Sequence, residues 1–142
     1  MKVDPCFDER VSEQSDPQHW LRFAHDDLAA ARLLMSDPRL PARLACFHAQ
    51  QAAEKALKAS LVRLGVEFRK THDLTVLSLL QPGVVQAEVG QLDLQRRQQW
   101  AVDARYPADL PDLAANEAGA ILTIAEEVVA VIARTMQGRQ QP

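Results

Sequence analysis

The chain has 142 residues, enough for one domain with a modest buried core. Hydrophobic residues make up 47% of it, charged residues 25% and glycine only 5 positions, a composition that excludes wholesale disorder and favours helices over sheet. The net charge of −3 excludes a protein held to a polyanion by its overall charge, so nucleic-acid binding would need a local basic patch.

Residues 1–15 are polar, acidic and aperiodic, which predicts a flexible acidic arm. The arm lacks the apolar stretch of a secretion signal, and no apolar run reaches membrane-spanning length, so we expect a soluble, cytoplasmic protein that does not insert into a membrane. The two cysteines, Cys6 and Cys46, show no metal-type spacing. We therefore expect a reducing compartment, no disulfide, no metal site and no cofactor.

The first predicted helix spans residues 17–36, with Asp16 as N-cap and Pro17 at the first helical position. Apolar residues recur along it at helical spacing: Trp20, Leu21, Phe23, Ala24, Leu28, Ala31 and Met35. The segment "DPRLP" at 37–41 ends this helix, because its two prolines, three positions apart, cannot lie inside one.

The second predicted helix spans residues 41–64 and stops at Gly65, the residue best suited to a left-handed end. It carries a stripe of small residues, Ala45, Ala49, Ala52, Ala53, Ala56 and Ala59. Small side chains allow close approach of another helix, so this helix is predicted to be central. Thr71 is predicted to cap a short helix, "HDLTVLSLL".

Residues 84–104 are predicted to be helical, "RYPADLP" (105–111) a loop, and residues 112–136 the last and most apolar helix, followed by a frayed tail at 137–142. The fold prediction is an all-α up-and-down bundle of four long helices and one short helix, within a domain spanning 16–136. Such a bundle offers little concave volume, so a ligand cleft is expected at a dimer seam.

Three phrases of the sequence together resemble the HEPN domain family: "AHDDLAAARLLM" in the first helix, "FHAQQAAEKALKASLV" (47–62) in the second, and "THDLTVL" (71–77) after it. The resemblance covers about residues 18–135. It implies a homodimeric helical bundle, often encoded beside a small nucleotidyltransferase as a toxin–antitoxin pair. Many members are metal-independent ribonucleases with an Arg-x(4–6)-His motif near the dimer cleft, and others bind nucleotides or partner proteins without catalysis.

The stretch "RLACFH" spells such a motif from Arg43 to His48. A histidine can move the 2′-hydroxyl proton of RNA, and an arginine can neutralise the charge developing on the phosphate. On a regular helix these side chains lie about 140° apart, so they converge only through a distorted first turn or across a dimer. The family's usual place for the motif is near the last helix, where Arg105 precedes the helix and no histidine follows it. If the chain cleaves RNA, His48 is the predicted acid–base residue, and Arg43 or Arg105 is the predicted phosphate-stabilising residue, acting across the dimer. The alternative for His48 is a packed, hydrogen-bonded histidine.

A second candidate is a polar face of the same helix, formed by His48, Gln51, Lys55 and Lys58. These residues are predicted to bind a nucleotide or phosphate, and the alternative is a solvated face whose lysines cover apolar surface. His72 can join this cluster beside Lys55 or Lys58. Tyr106, in the loop with Arg105, can stack on a base.

The functional hypothesis is a HEPN-domain protein that acts with a nucleotidyltransferase partner in a toxin–antitoxin-like module. The sequence leaves open whether it also cleaves RNA as a metal-independent ribonuclease. The alternative is a non-catalytic nucleotide-binding domain, or an adaptor or dimerisation domain. The expected partners are a second copy of the chain, a nucleotidyltransferase-type protein, and RNA or a nucleotide.

Overall fold

A computed structural model describes residues 16–90 and 115–138, which form five helices and no strand. Their bounds are α1 Pro17–Met35, α2 Ala42–Leu64, α3 Leu74–Leu79, α4 Gly83–Val89 and α5 Ala115–Gly138. The predicted all-α bundle is confirmed. Of the helix predicted for 84–104, the structure describes α4, with Gly90 as its C-cap. The predicted arm (1–15), the "RYPADLP" loop and the end of the tail lie outside the described residues.

The central helix is α2, as its alanine stripe predicts. It packs against both α1 and α5, which also contact each other. Ala49, Ala52, Ala56 and Ala59 are fully buried in these contacts. Because alanine adds only one carbon beyond the backbone, neighbouring helices pack close to α2, and larger buried residues such as Leu57 fill the remaining space.

The predicted start of α1 and the predicted end of α2 are confirmed. Asp16 caps α1, its Oδ1 accepting from the backbone N–H of Gln18 at 2.9 Å, and Pro17 occupies the first turn. Gly65 ends α2 with φ 69°, a left-handed conformation that favours a residue without a Cβ.

The predicted cap of the short helix is wrong. Asp73 is the N-cap of α3, and its Oδ1 accepts from the backbone N–H groups of Thr75 at 2.9 Å and Val76 at 3.2 Å. Thr71 lies two residues earlier, where its Oγ1 accepts from the N–H of Asp73 at 3.0 Å. The aspartate side chain satisfies two free donors of the first turn, so the helix begins at Leu74.

Several large apolar side chains are exposed on the flank formed by α1 and α2. Phe23, which directly precedes the buried Ala24, is on the exposed side of α1, and Phe47 is 47% exposed. Leu40 and Leu44 precede Phe47 at intervals of four and three residues and are also exposed. None of the helices in the described ranges is both long and apolar enough to cross a membrane.

Candidate functional site

Asp27 of α1 joins two side chains of α2. Its Oδ1 lies 3.0 Å from Nδ1 of His48, and its Oδ2 accepts from Nζ of Lys55 at 2.5 Å. His48 and Lys55 are seven residues apart, two turns of one helix face, so the carboxylate bridges them from the neighbouring helix. We call Asp27, His48 and Lys55 the Asp27 cluster.

The contact with Asp27 determines how His48 can act. An ionised carboxylate only accepts hydrogen bonds, so the ring proton lies on Nδ1 and Nε2 is the basic nitrogen. No described residue forms a hydrogen bond with Nε2. The side chain is 36% exposed, and the ring of Phe47 stands edge-on to it at 5.5 Å between centroids. His48 is therefore an oriented, partly exposed imidazole whose Nε2 has no hydrogen-bond partner among the described residues, an arrangement suited to proton transfer.

A second cluster lies deeper, between α2 and the segment before α3. Oε1 of Glu54 accepts from Nδ1 of His72 at 2.5 Å and lies 3.6 Å from Nζ of Lys58. The side chains of Glu54 and Lys58 are only 4% and 7% exposed. Nζ of Lys58 also lies 5.6 Å from the centroid of the Trp20 ring, a cation–π contact that adds α1 to the cluster.

Burial of the Lys58 ammonium lowers the pKa of this side chain, and the nearby Glu54 carboxylate opposes that shift. A lysine in this position ties helices together inside the chain. It does not present a charge to solvent as a phosphate-binding lysine does.

The predicted polar face is thus divided between two carboxylates. His48 and Lys55 meet at Asp27, and Lys58 meets Glu54, where His72 joins it as the sequence suggests it can. Gln51 lies between the two groups and is half-buried.

The structure does not bring Arg43 to His48 within one chain. Helix α2 begins at Ala42, so both residues lie in its regular part and their side chains diverge by about 140°. Arg43 is exposed. Arg105 and Tyr106, the other predicted site residues, lie outside the described residues.

Sequence reasoning missed the two carboxylates that organise the site. Glu54 stands inside the alanine stripe, and Asp27 directly precedes the buried Leu28. An ionised group in a buried stripe is costly unless it is paired, so each acid predicts a cation or histidine partner on an adjacent element. That signal was present in "AHDDL" and "QQAAEKALKA". In the described ranges, no three His, Cys, Asp or Glu side chains are grouped to hold a metal ion.

Comparisons with known proteins place this arrangement in context. The model of the HEPN domain family matches residues 17–135. A crystal structure of an archaeal HEPN homologue is similar, with a TM-score of 0.67, 26% identity, and coverage of 86% of this chain and 98% of that one. A Thermus thermophilus protein, with a TM-score of 0.65 and 24% identity over 83% of this chain and 96% of its own, shows the fold alone. A comparison with curated proteins finds no match.

Proposed function

The chain belongs to the HEPN domain family, and from that premise we propose that it is a metal-independent endoribonuclease that works as a homodimer. We further propose that it acts with a nucleotidyltransferase-type protein in a toxin–antitoxin-like module. The observation that supports the activity is the pairing of Nδ1 of His48 with Asp27, which leaves Nε2 of this partly exposed ring without a partner among the described residues.

The reaction that this geometry supports is attack of a ribose 2′-oxygen on the adjacent phosphorus. Nε2 of His48 takes the 2′-hydroxyl proton, the new 2′-O–P bond forms, and the bond from phosphorus to the 5′-oxygen breaks. The departing 5′-oxygen takes a proton from water. Asp27 holds the ring in the reactive tautomer and stabilises the imidazolium that forms.

Charge on the phosphate needs a cation, and the dimer supplies one in this proposal. Leu44 and Phe47 form an exposed apolar stripe in the first turns of α2, with exposed Leu40 just before the helix and Arg43 beside the stripe. A second copy packed on the stripe makes a two-fold interface in which each α2 faces the other. Arg43 of one copy then approaches His48 of the other, which removes the divergence seen within one chain.

Light scattering coupled to size exclusion tests the dimer. We expect twice the mass of one chain for the wild type and a monomer for Phe47→Glu, because the added carboxylate cannot be buried unpaired. Val84→Glu, an exposed apolar residue of α4 away from the stripe, is the matched control and should remain dimeric. A monomeric wild type contradicts the dimer.

The cleavage assay uses single-stranded RNA with EDTA present. We expect the cleavage rate of His48→Ala to be at least 10²-fold lower, the usual contribution of a general base. The rate of Asp27→Asn should also be lower, because the amide no longer holds the His48 ring in the reactive tautomer. His25→Ala, an exposed histidine of α1, is the matched control and should cleave like the wild type. Undiminished cleavage by His48→Ala contradicts the assignment. Arg105→Ala tests the remaining predicted arginine in the same gel.

One observation favours the alternative, a non-catalytic nucleotide-binding or adaptor domain. The lysines of the polar face are already paired, Lys55 with Asp27 and Lys58 with Glu54, so this face of the described part of the chain offers little free positive charge beside His48. No cleavage by the wild type, together with a higher melting temperature in the presence of a nucleotide, supports this alternative. Co-expression with the nucleotidyltransferase of an adjacent gene, followed by co-purification, tests the partner.

A further inference from the structure

A small pocket on the first two turns of α1 lies outside the Asp27 cluster. It is lined by Asp16, His19, Trp20 and Phe23 and has a volume of about 240 Å³. Three of its four lining side chains are therefore aromatic rings, and the fourth is a carboxylate. The rings of His19 and Phe23 are neighbours, 6.2 Å apart between centroids and tilted by 37°. Rings collected in an open pocket provide stacking surfaces for a planar ligand.

The carboxylate of Asp16 adds a specific acceptor. Its Oδ1 receives the backbone N–H of Gln18, and Oδ2 has no partner among residues 16–90 and 115–138. An ionised carboxylate only accepts hydrogen bonds, so it selects a planar ligand with N–H groups on its edge and repels a phosphate. Guanine presents two adjacent N–H donors on its Watson–Crick edge. Adenine presents one donor beside an acceptor there.

The pocket residues and Asp27 lie on one stripe of α1. Asp16, Trp20, Phe23 and Asp27 recur at intervals of four, three and four residues, and Trp20 and Asp27 both contact α2. Phe23 and Asp27 are about 6 Å apart along the helix axis, at 1.5 Å per residue, a separation comparable with one nucleotide unit. The pocket therefore lies about one helical turn from the carboxylate that holds His48.

We propose that this pocket binds a guanine base of single-stranded RNA, stacked on Trp20 and Phe23 and held by Asp16. The proposal rests on the proposed function for its RNA substrate and specifies the base that the protein selects. Lys58, beneath the Trp20 ring, fixes the orientation of the indole.

The fluorescence of Trp20 reports binding, because Trp100→Phe removes the second tryptophan. The probes are guanosine 5′-monophosphate, adenosine 5′-monophosphate and N-acetylarginine amide. We expect saturable quenching by the guanosine nucleotide and at least tenfold weaker binding of the adenosine nucleotide, the discrimination typical of one bidentate base contact. Equal affinity for both nucleotides, or no binding of either, overturns the proposal. Preferential quenching by the arginine probe also overturns it, in favour of a protein partner.

Asp16→Asn is the decisive variant. Asparagine caps a helix as well as aspartate does, so α1 should remain intact, but its amide replaces one acceptor with a donor. We expect the affinity for the guanosine nucleotide to fall at least tenfold with unchanged circular dichroism. Phe23→Leu, which keeps an exposed apolar side chain but removes the ring, should also weaken binding. Unchanged affinity in both variants overturns the site.

The binding experiment and the cleavage assay can fail separately. Guanine-selective quenching that depends on Asp16, without any RNA cleavage, supports the pocket and removes the ribonuclease. Cleavage that depends on His48 without guanine-selective binding keeps the ribonuclease and overturns the pocket.

Discussion

The buried pair of Glu54 and Lys58 provides the most direct test of how this fold is held together. Lys58→Met removes the ammonium and keeps most of the apolar stem. It leaves the Glu54 carboxylate, only 4% exposed, with His72 as its one remaining partner among the described residues. Removing one member of a buried ion pair typically costs about 3–5 kcal/mol, because the other charge stays buried.

The expected loss for Lys58→Met is at the lower end, about 3 kcal/mol, because His72 still contacts Glu54 and the lost ion pair is long, at 3.6 Å. For a chain of this size that corresponds to a fall in melting temperature of roughly 10 °C. Glu54→Gln should cost a similar amount, since it leaves Lys58 with only the Trp20 ring. The double variant should lose about 2 kcal/mol less stability than the sum of the two single losses, because the two residues interact with each other.

Urea unfolding followed by circular dichroism at 222 nm measures these free energies. Lys55→Met is the matched control on the same helix, because its pair with Asp27 is more exposed, and it should lose at most about 1 kcal/mol. Additive effects of the two single substitutions, or a Lys58→Met variant as stable as the wild type, would refute the reasoning.

Three further predictions concern the same helices. Burial lowers the pKa of Lys58 below its ordinary value of 10.5. Between the lowered pKa and 10.5 the unfolded chain binds more protons, so the contribution of Lys58 to stability rises with pH; in urea titrations the free energy of unfolding of the wild type should therefore rise relative to that of Lys58→Met as the pH approaches 10.5. Asp73→Ala should cost about 1 kcal/mol by loss of the α3 cap, and Thr71→Ala less, measured the same way; equal losses would restore Thr71 as the cap. Gly65→Ala should cost about 1 kcal/mol through its φ of 69° alone, because a Cβ there contacts nothing within 4 Å; an unchanged melting temperature would contradict this.

The elements that sequence reasoning predicted well depend on neighbours in the chain. Asp16 caps the N–H two residues away, Gly65 adopts its own left-handed φ, and the alanine stripe of α2 repeats every three or four residues. The wrong prediction that Thr71 caps α3 also concerned the local sequence, because Thr71 and Asp73 are both residue types that cap helices and lie two positions apart. Asp73 prevails because its carboxylate accepts from two backbone donors of the first turn.

The charged site depended on contacts that no local pattern contains. Asp27 meets His48 and Lys55 across 21 and 28 residues of chain, and Glu54 meets His72 across 18. Spacing alone placed His48, Gln51, Lys55 and Lys58 on one helix face, because the period of a helix determines which side chains are neighbours on its surface. It could not show which of them another helix would cover. The sequence by itself therefore determined the start of α1 at Asp16, the end of α2 at Gly65 and the central position of α2. Only the packing of α1 and of the segment before α3 decided that Lys58 is buried while His48 remains partly exposed.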